Sequence, residues 1–314
     1  SRDLPINLFQ RAVMPSLDPK ILAKRYVRTT RTIVETLSAR PKVLGLIASK
    51  DEPSLAYARA TQQRFIETGM DYELRRVNRL DLEAAIDAAN VDPAIHGIFI
   101  YFPIFGNQQD DYLRNLVQFT KDVEAGSQYW TRKLYANERS IEFDGALKKA
   151  VLPCTPLAIV KLLVELEVYP QNRAATALPL AGKTVTIFNR SEVIGRPLAI
   201  MMSNDGARVL SFDEFGPLCF EDARAQEIDI DRAQALSASD IVITGVPSPR
   251  FPQIMPAEIQ PGTVCVNFSS YNNFHDSIIE HTPIFVPRIG PMTVAMCMRN
   301  ALRLYQNFHQ GPQP

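Results

Sequence analysis

The sequence predicts an α/β protein built from two domains with mostly parallel sheets, the second of them Rossmann-like. Three observations carry this. Short apolar, β-branched runs alternate with helical stretches along the 314-residue chain, the pattern of parallel βα units. A proline-flanked break, Leu152-Pro-Cys-Thr-Pro156, divides that alternation near its midpoint. Residues 182–213 then run strand, glycine-bearing turn, helix, strand and terminal acid, which is the layout of a dinucleotide site.

Residues 1–20 carry three prolines and no period, so they read as an irregular arm before a basic helix over 21–37. Residues 42–48 make a buried strand. Ser54 is placed to cap a helix carrying Leu55, Ala58, Phe65 and Ile66, which Gly69 stops. A strand over 72–77, a helix over 80–90, a strand over 97–102 and a helix over 110–119 follow. The segment 121–149 is polar and aromatic and receives no assignment. After the break comes an apolar helix over 157–168, then a surface linker over 170–179.

In the unit at 182–213, Thr184 to Phe188 form a strand suited to burial on both faces. A polar turn leads to Gly195. Pro197 falls in the helix's first turn, where its missing N–H has no bond to lose. Gly206 stops that helix, and the run Val209, Leu210, Phe212 ends at Asp213. Residues 216–238 are charged and read as peripheral. Strands over 240–246, 263–268 and 284–286 complete a second sheet. A last helix over 293–308 has the spacing to pack back on the first domain. The domains are therefore 1–152, completed by 293–310, and 153–292.

Lys plus Arg and Asp plus Glu balance at 34 each, which argues against a general nucleic-acid or membrane surface. Cys154, Cys219, Cys265 and Cys297 form no C-x-x-C pair, and Cys265 and Cys297 lie in apolar runs as core thiols. This pattern fits a reducing compartment. The four histidines lack metal-ligand spacing, so no metal is expected. With neither a run of 18 apolar residues nor a signal-peptide core, the expectation is a soluble, cytoplasmic protein.

The turn amides and helix N-terminus at 189–195 would face a pyrophosphate. Asp213, 18 residues after Gly195, would accept from the ribose hydroxyls. Only one glycine of the G-x-G-x-x-G fingerprint remains, so spacing alone leaves a structural βαβ unit open.

Several motifs then occur in a set order. Tyr57 lies in a helix, followed by Tyr101-Phe-Pro103, Lys121-Asp-Val-Glu124 and Pro153-Cys-Thr-Pro156. Arg190-Ser191 with Gly195-Arg-Pro197, and Gly290-Pro-Met-Thr-Val-Ala295, complete the set. With these motifs, residues 42–305 resemble the methylenetetrahydrofolate dehydrogenase/cyclohydrolase family. The resemblance implies folate in an active-site cleft between a catalytic first domain and an NAD(P)-binding second domain.

Three departures refine it. The bifunctional members carry a lysine four residues after the tyrosine, where this chain has Thr61. They carry glutamine in place of Tyr101 and aspartate in place of Glu124. The combination resembles the family's fungal-type, monofunctional NAD-dependent branch. It implies NAD-dependent oxidation of 5,10-methylenetetrahydrofolate to 5,10-methenyltetrahydrofolate, in one-carbon metabolism and purine biosynthesis, without cyclohydrolase activity. Chemistry supports the split. Hydrolysis needs activated water and proton movement beside the folate. Hydride removal leaves a cation stabilised by its two flanking nitrogens, so that site mainly holds two rings together.

By the same resemblance Tyr57, Tyr101 and Asp122 bind substrate, and Glu124 and Cys154 are the catalytic candidates. Amphipathic core tyrosines, a solvated acidic turn and a packed thiol are the plainer readings of these residues. Arg190, Ser191, Gly195, Asp213, Glu214, Gly245, Val246, Phe268, Ser269 and Ser270 would hold the cofactor. Asp213 and Glu214 would repel a 2′-phosphate and favour NAD, while Arg190 would pull toward NADP. The diglycine loop of the family is shortened before Gly290, with Arg288 near a glycine position. The resemblance also implies a homodimer and a substrate with or without a polyglutamate tail. A bifunctional enzyme with another base, and a non-catalytic nucleotide-binding regulator, stay as alternatives.

Overall fold

A computed structural model describes residues 18–170 and 178–311. Of the arm expected over 1–20 and the linker expected over 170–179, residues 1–17 and 171–177 lie outside the described residues, and the first helix already begins at Pro19.

The first half opens with α1 (Pro19–Val34), where the Asp18 carboxylate accepts the Lys20 amide at 2.9 Å. β1 (Lys42–Ile47), α2 (Glu52–Glu67), β2 (Asp71–Arg76), α3 (Leu82–Val91) and β3 (Gly97–Ile100) follow. They form a parallel three-stranded sheet in the order β2-β1-β3. Asp51, not Ser54, caps α2: its carboxylate accepts the Ser54 amide at 2.9 Å, which puts Ser54 inside the first turn. Aspartate and serine both cap well, so the choice falls to the side chain that reaches the third helical amide.

α4 (Gln108–Leu116) precedes the unassigned segment, which contains α5 (Gln128–Tyr135) and the hairpin β4 (Ser140–Phe143) to β5 (Ala146–Lys149). Asp144-Gly145, both with positive φ, make the two-residue turn that Asp-Gly favours. Trp130, fully buried beneath this hairpin's cluster, donates its indole N–H to Phe119 O at 2.9 Å.

α6 (Cys154–Glu165) leads to the second half. There β6 (Thr184–Phe188), α7 (Gly195–Asn204), β7 (Arg208–Asp213), β8 (Gly216–Glu221) and β9 (Arg224–Glu227) precede α8 (Arg232–Ala238). β10 (Ile241–Thr244), β11 (Val264–Asn267), the short α9 (Ile278–His281) and β12 (Ile284–Val286) complete it. The sheet order is β12-β11-β10-β6-β7-β8-β9, parallel as far as β7 and antiparallel beyond. The charged stretch read as peripheral thus contains two strands and a helix. It does lie at the sheet edge, but Cys219 and Ala235 pack on Leu210 of β7.

α10 (Gly290–Leu304) packs against α1 and α6 and ends in a π-helical turn at Tyr305–His309. One apolar cluster joins Val43 and Ile47 of β1, Leu162 of α6, Val185 of β6 and Met296 of α10, so the two sheets share a core. All four cysteines are free and buried. Among the described residues, no helix is long and apolar enough to cross a membrane.

Candidate active site

On the first half, Tyr57 on α2 stands half-exposed and edge-on to Tyr101, with ring centroids 6.1 Å apart. Tyr101, just past β3, is buried; its hydroxyl pairs with that of Tyr72 at 2.7 Å and reaches Ala58 O at 3.4 Å. Burial pushes both the Tyr57 and Tyr101 phenols up, that of Tyr101 to about 12. Thr61 is sealed one turn after Tyr57, its hydroxyl donating to Tyr57 O at 3.0 Å. A pocket of about 230 Å³ opens beside them, lined by Val27, Tyr57, Thr61, Arg64, Pro291 and Met298.

Residues 121–124 run beside β3 through a parallel bridge between Ile98 and Asp122. Their three polar side chains have different tasks. The Lys121 ammonium is buried at the end of α3, donating to Ala89 O at 2.9 Å and Asp92 O at 2.7 Å. Asp122, 4% exposed, accepts the Ser127 amide at 2.9 Å and closes the turn that follows. Asp122, expected to meet substrate, has its Oδ2 engaged in the chain's own turn. Glu124 keeps partial exposure, and burial together with the neighbouring Asp122 pushes its pKa up to about 8.

Cys154 begins α6 with its thiol at 3.4 Å from Val123 O. Burial pushes that thiol well above its usual range, with Cys297 next to it. A buried, protonated thiol is a poor nucleophile. Burial and these contacts fit the plainer reading of Cys154, a thiol packed at the junction.

On the second half, the strand order reverses direction between β6 and β10, the switch point where open α/β sheets bind ligands. The ends of β6, β7, β10 and β11 place Ser191, Asp213, Gly245 and Phe268 around it. A Cβ on Gly195 would lie 2.0 Å from Asn189 O, so only glycine lets α7 start this close to the turn. Likewise a Cβ on Gly245 would strike the Phe268 ring at 1.9 Å.

Arg190 departs from expectation. Its guanidinium is 9% exposed and bonds Ser211 O and Gly216 O, each at 2.9 Å, and Asp213 Oδ1. It braces the β7–β8 turn and neutralises Asp213 from behind. Asp213 Oδ1 also accepts the Phe215 amide at 2.8 Å, while among the described residues Oδ2 takes no hydrogen bond. Glu214 is exposed in the same turn. Val246 has both backbone groups tied to Asn273, and the Ser269 hydroxyl donates to Val246 O at 2.8 Å. Val246 and Ser269 therefore hold the loop, with Ser270 exposed beyond them.

The tetrahydrofolate dehydrogenase/cyclohydrolase catalytic-domain family model matches residues 17–124, and the NAD(P)-binding-domain model matches 153–309. The chain belongs to this family. It is 42% identical over 274 residues to the Dictyostelium discoideum methylenetetrahydrofolate dehydrogenase [NAD(+)], covering 85% of this chain and 87% of that protein. Against the Schizosaccharomyces pombe protein of the same name it is 40% identical over 299 residues, 90% of each chain. The solved NAD-dependent 5,10-methylenetetrahydrofolate dehydrogenase of Saccharomyces cerevisiae superimposes with a TM-score of 0.86 at 35% identity. That alignment covers 93% of this chain and 96% of the other.

Within this family frame two residues matter that motif reading passed over. Asn300, mid-way along α10, donates to Val123 O at 3.1 Å and Leu152 O at 2.9 Å, tying the Glu124 strand to the start of α6. Asn189 Oδ1 accepts the Ser191 amide at 3.0 Å, and its Nδ2 donates to Gly245 O at 2.9 Å, joining two cofactor-side loops. A polar amide inside an apolar helix was the available signal for Asn300. Asn189 had none beyond its place in the turn.

Proposed function

We propose that this protein oxidises 5,10-methylenetetrahydrofolate to 5,10-methenyltetrahydrofolate with NAD, and that it lacks cyclohydrolase activity. The observation that carries the reading is Thr61. It lies beside Tyr57 where a hydrolytic member holds lysine, and its hydroxyl is spent on the helix backbone. On α2, therefore, the position one turn after Tyr57 carries no basic side chain to activate water.

The residues fit NAD. The Gly195 turn lets amides approach a pyrophosphate, and Asp213 offers Oδ2 to ribose hydroxyls. When bound, the nicotinamide ring supplies the hydride acceptor. The protein's own work is placement. Tyr57 and Tyr101 flank the folate rings, and Glu124 accepts from the pterin's N–H groups. The Asn300 bridge ties the Glu124 segment to the start of α6, and the Asn189 bridge holds two cofactor-side loops together. The first unit, 1–152 completed by 293–310, carries folate, and 153–292 carries NAD. A cytoplasmic homodimer is the proposed working form.

Nicotinamide absorbance with methylenetetrahydrofolate, read in parallel with NAD and NADP, tests the dehydrogenase. Turnover with neither cofactor overturns it. Hydrolysis of methenyltetrahydrofolate above the uncatalysed rate would remove the monofunctional assignment alone.

A further inference from the structure

Two folate-side loops lean on α4: the one after β3, which carries Tyr101, and the turn at 122–127, which carries Glu124. Asp110, 7% exposed in the first turn of α4, accepts the amides of Ile104, Phe105 and Gly106 at 3.1, 2.8 and 3.0 Å. Three amides on one carboxylate fix the first loop to the helix. Asn115 holds the far end of the turn, its Oδ1 accepting the Gln128 amide at 2.7 Å.

Arg114, one helical turn after Asp110, touches both loops at once. Its guanidinium carbon lies 4.4 Å from the centre of the Phe102 ring, the residue next to Tyr101. Its stem covers Gly126, two residues past Glu124. A Cβ on Gly126 would lie 2.8 Å from Arg114 Cδ and 3.4 Å from Nε, so glycine makes room for the stem. The Arg114 side chain is 16% exposed, and among the described residues its one hydrogen bond runs from Nη1 to Asp111 at 2.6 Å. Asp111 is largely in water, where a carboxylate neutralises a guanidinium only weakly.

The titratable groups facing Glu124 are Asp122 in its own turn, Arg114, the phenols of Tyr57, Tyr72 and Tyr101, and the thiols of Cys154 and Cys297. Burial pushes these phenols and thiols up, so they are uncharged at neutral pH. Arg114 is the cation of the set.

We propose that Arg114 is a positioning residue for folate oxidation, clamping the Tyr101 loop onto the Glu124 turn and supplying the positive charge that lets Glu124 meet the pterin as a carboxylate. This rests on the reading of Glu124 as the pterin acceptor. Arg114 acts through Phe102, Gly126 and its own field rather than on the substrate.

Three variants separate the charge from the packing. Arg114→Met keeps a stem over Gly126 without the charge, and Arg114→Lys keeps the charge. Gly126→Ala keeps the arginine and pushes its Cδ off the turn. KM for methylenetetrahydrofolate and for NAD is measured from about pH 6 to 9. Arg114→Met should raise the folate KM about tenfold at pH 7 and move the pH at which it levels off up by about one unit, with the KM for NAD unchanged. Arg114→Lys should restore the profile, and Gly126→Ala should move it in the same direction as Arg114→Met. Equal losses in the Met and Lys variants with an unmoved profile overturn the proposal. The carboxyl carbon resonance of Glu124 in glutamate-labelled free protein reports the same titration without turnover. A Glu124 midpoint that moves in neither Arg114→Met nor Gly126→Ala overturns the role of Arg114, whereas absence of turnover in wild type removes only the dehydrogenase reading.

Discussion

Glu124 sits between opposing influences. Burial and the Asp122 carboxylate push its pKa up to about 8, against the downward pull of Arg114. At neutral pH the free protein holds it protonated. Pterin N–H donors favour the carboxylate, so substrate binding must release that proton. The KM for methylenetetrahydrofolate should fall about tenfold per pH unit from roughly pH 6.5 toward 8, then level off. Glu124→Gln should flatten the profile at a weaker KM, and an unchanged slope would assign the proton elsewhere. Asp213 is the second test. Asp213→Ser removes the ribose acceptor and leaves the Arg190 guanidinium without its carboxylate. The ratio of kcat/KM for NADP over NAD should rise at least about tenfold. Adding Arg190→Ala should cancel that gain, because the charge that would meet a 2′-phosphate is then gone.

At the scale of elements, tight junctions govern the geometry. Gly195→Ala places a methyl 2.0 Å from Asn189 O, so α7 must withdraw from the turn. The strain should cost about 1–3 kcal/mol, read by urea unfolding, and NAD affinity should fall with it. Asn300→Leu probes the other junction. It leaves Val123 O and Leu152 O without their donor in a buried place, a loss of about 1–3 kcal/mol. Its effect on kcat should exceed that of an equally destabilising change on β9, since Glu124 adjoins Val123. Equal effects would make Asn300 merely structural.

For the whole molecule, the chain's end fastens onto the first half. His309 Nε2 lies 2.9 Å from Thr120 O, and the His96 ring meets those of Tyr305 and His309. Burial, His309 and Lys121 lower the pKa of His96 to about 4, and burial lowers that of His309. Both imidazoles are therefore neutral in the fold and take up protons more readily when unfolded. Their stabilisation is present above roughly pH 6.5 and is lost as pH falls toward 4. Glu124 acts with the opposite sign, since its raised pKa favours the folded state on acidification. The readout is thus a difference: the melting-temperature gap between wild type and His309→Gln should shrink as pH falls from about 7 to 5. A constant gap would separate the latch from proton uptake.

The alternation of apolar runs determined the two sheets and most helices, because β-branched strands and glycine or proline boundaries are local preferences. Asp213 was legible from the layout of its unit, whereas Tyr57, Thr61 and Glu124 were picked out by resemblance to the motifs of the family. The Asp144-Gly145 turn was equally local and was passed over amid polar and aromatic neighbours. What only the tertiary structure decided is which polar groups remain free. Asp122 and Lys121 share a motif with Glu124, yet their bonds go to the backbone, while Glu124 keeps partial exposure. Arg190 and Asp213, 23 residues apart, are partners because β7 and β8 fold the turn over the guanidinium. Hydrogen-bond partners far along the chain leave no period in a sequence. At Gly182–Asp213 the sequence alone supplied the dinucleotide layout, and the fold settled that Arg190 supports Asp213 there.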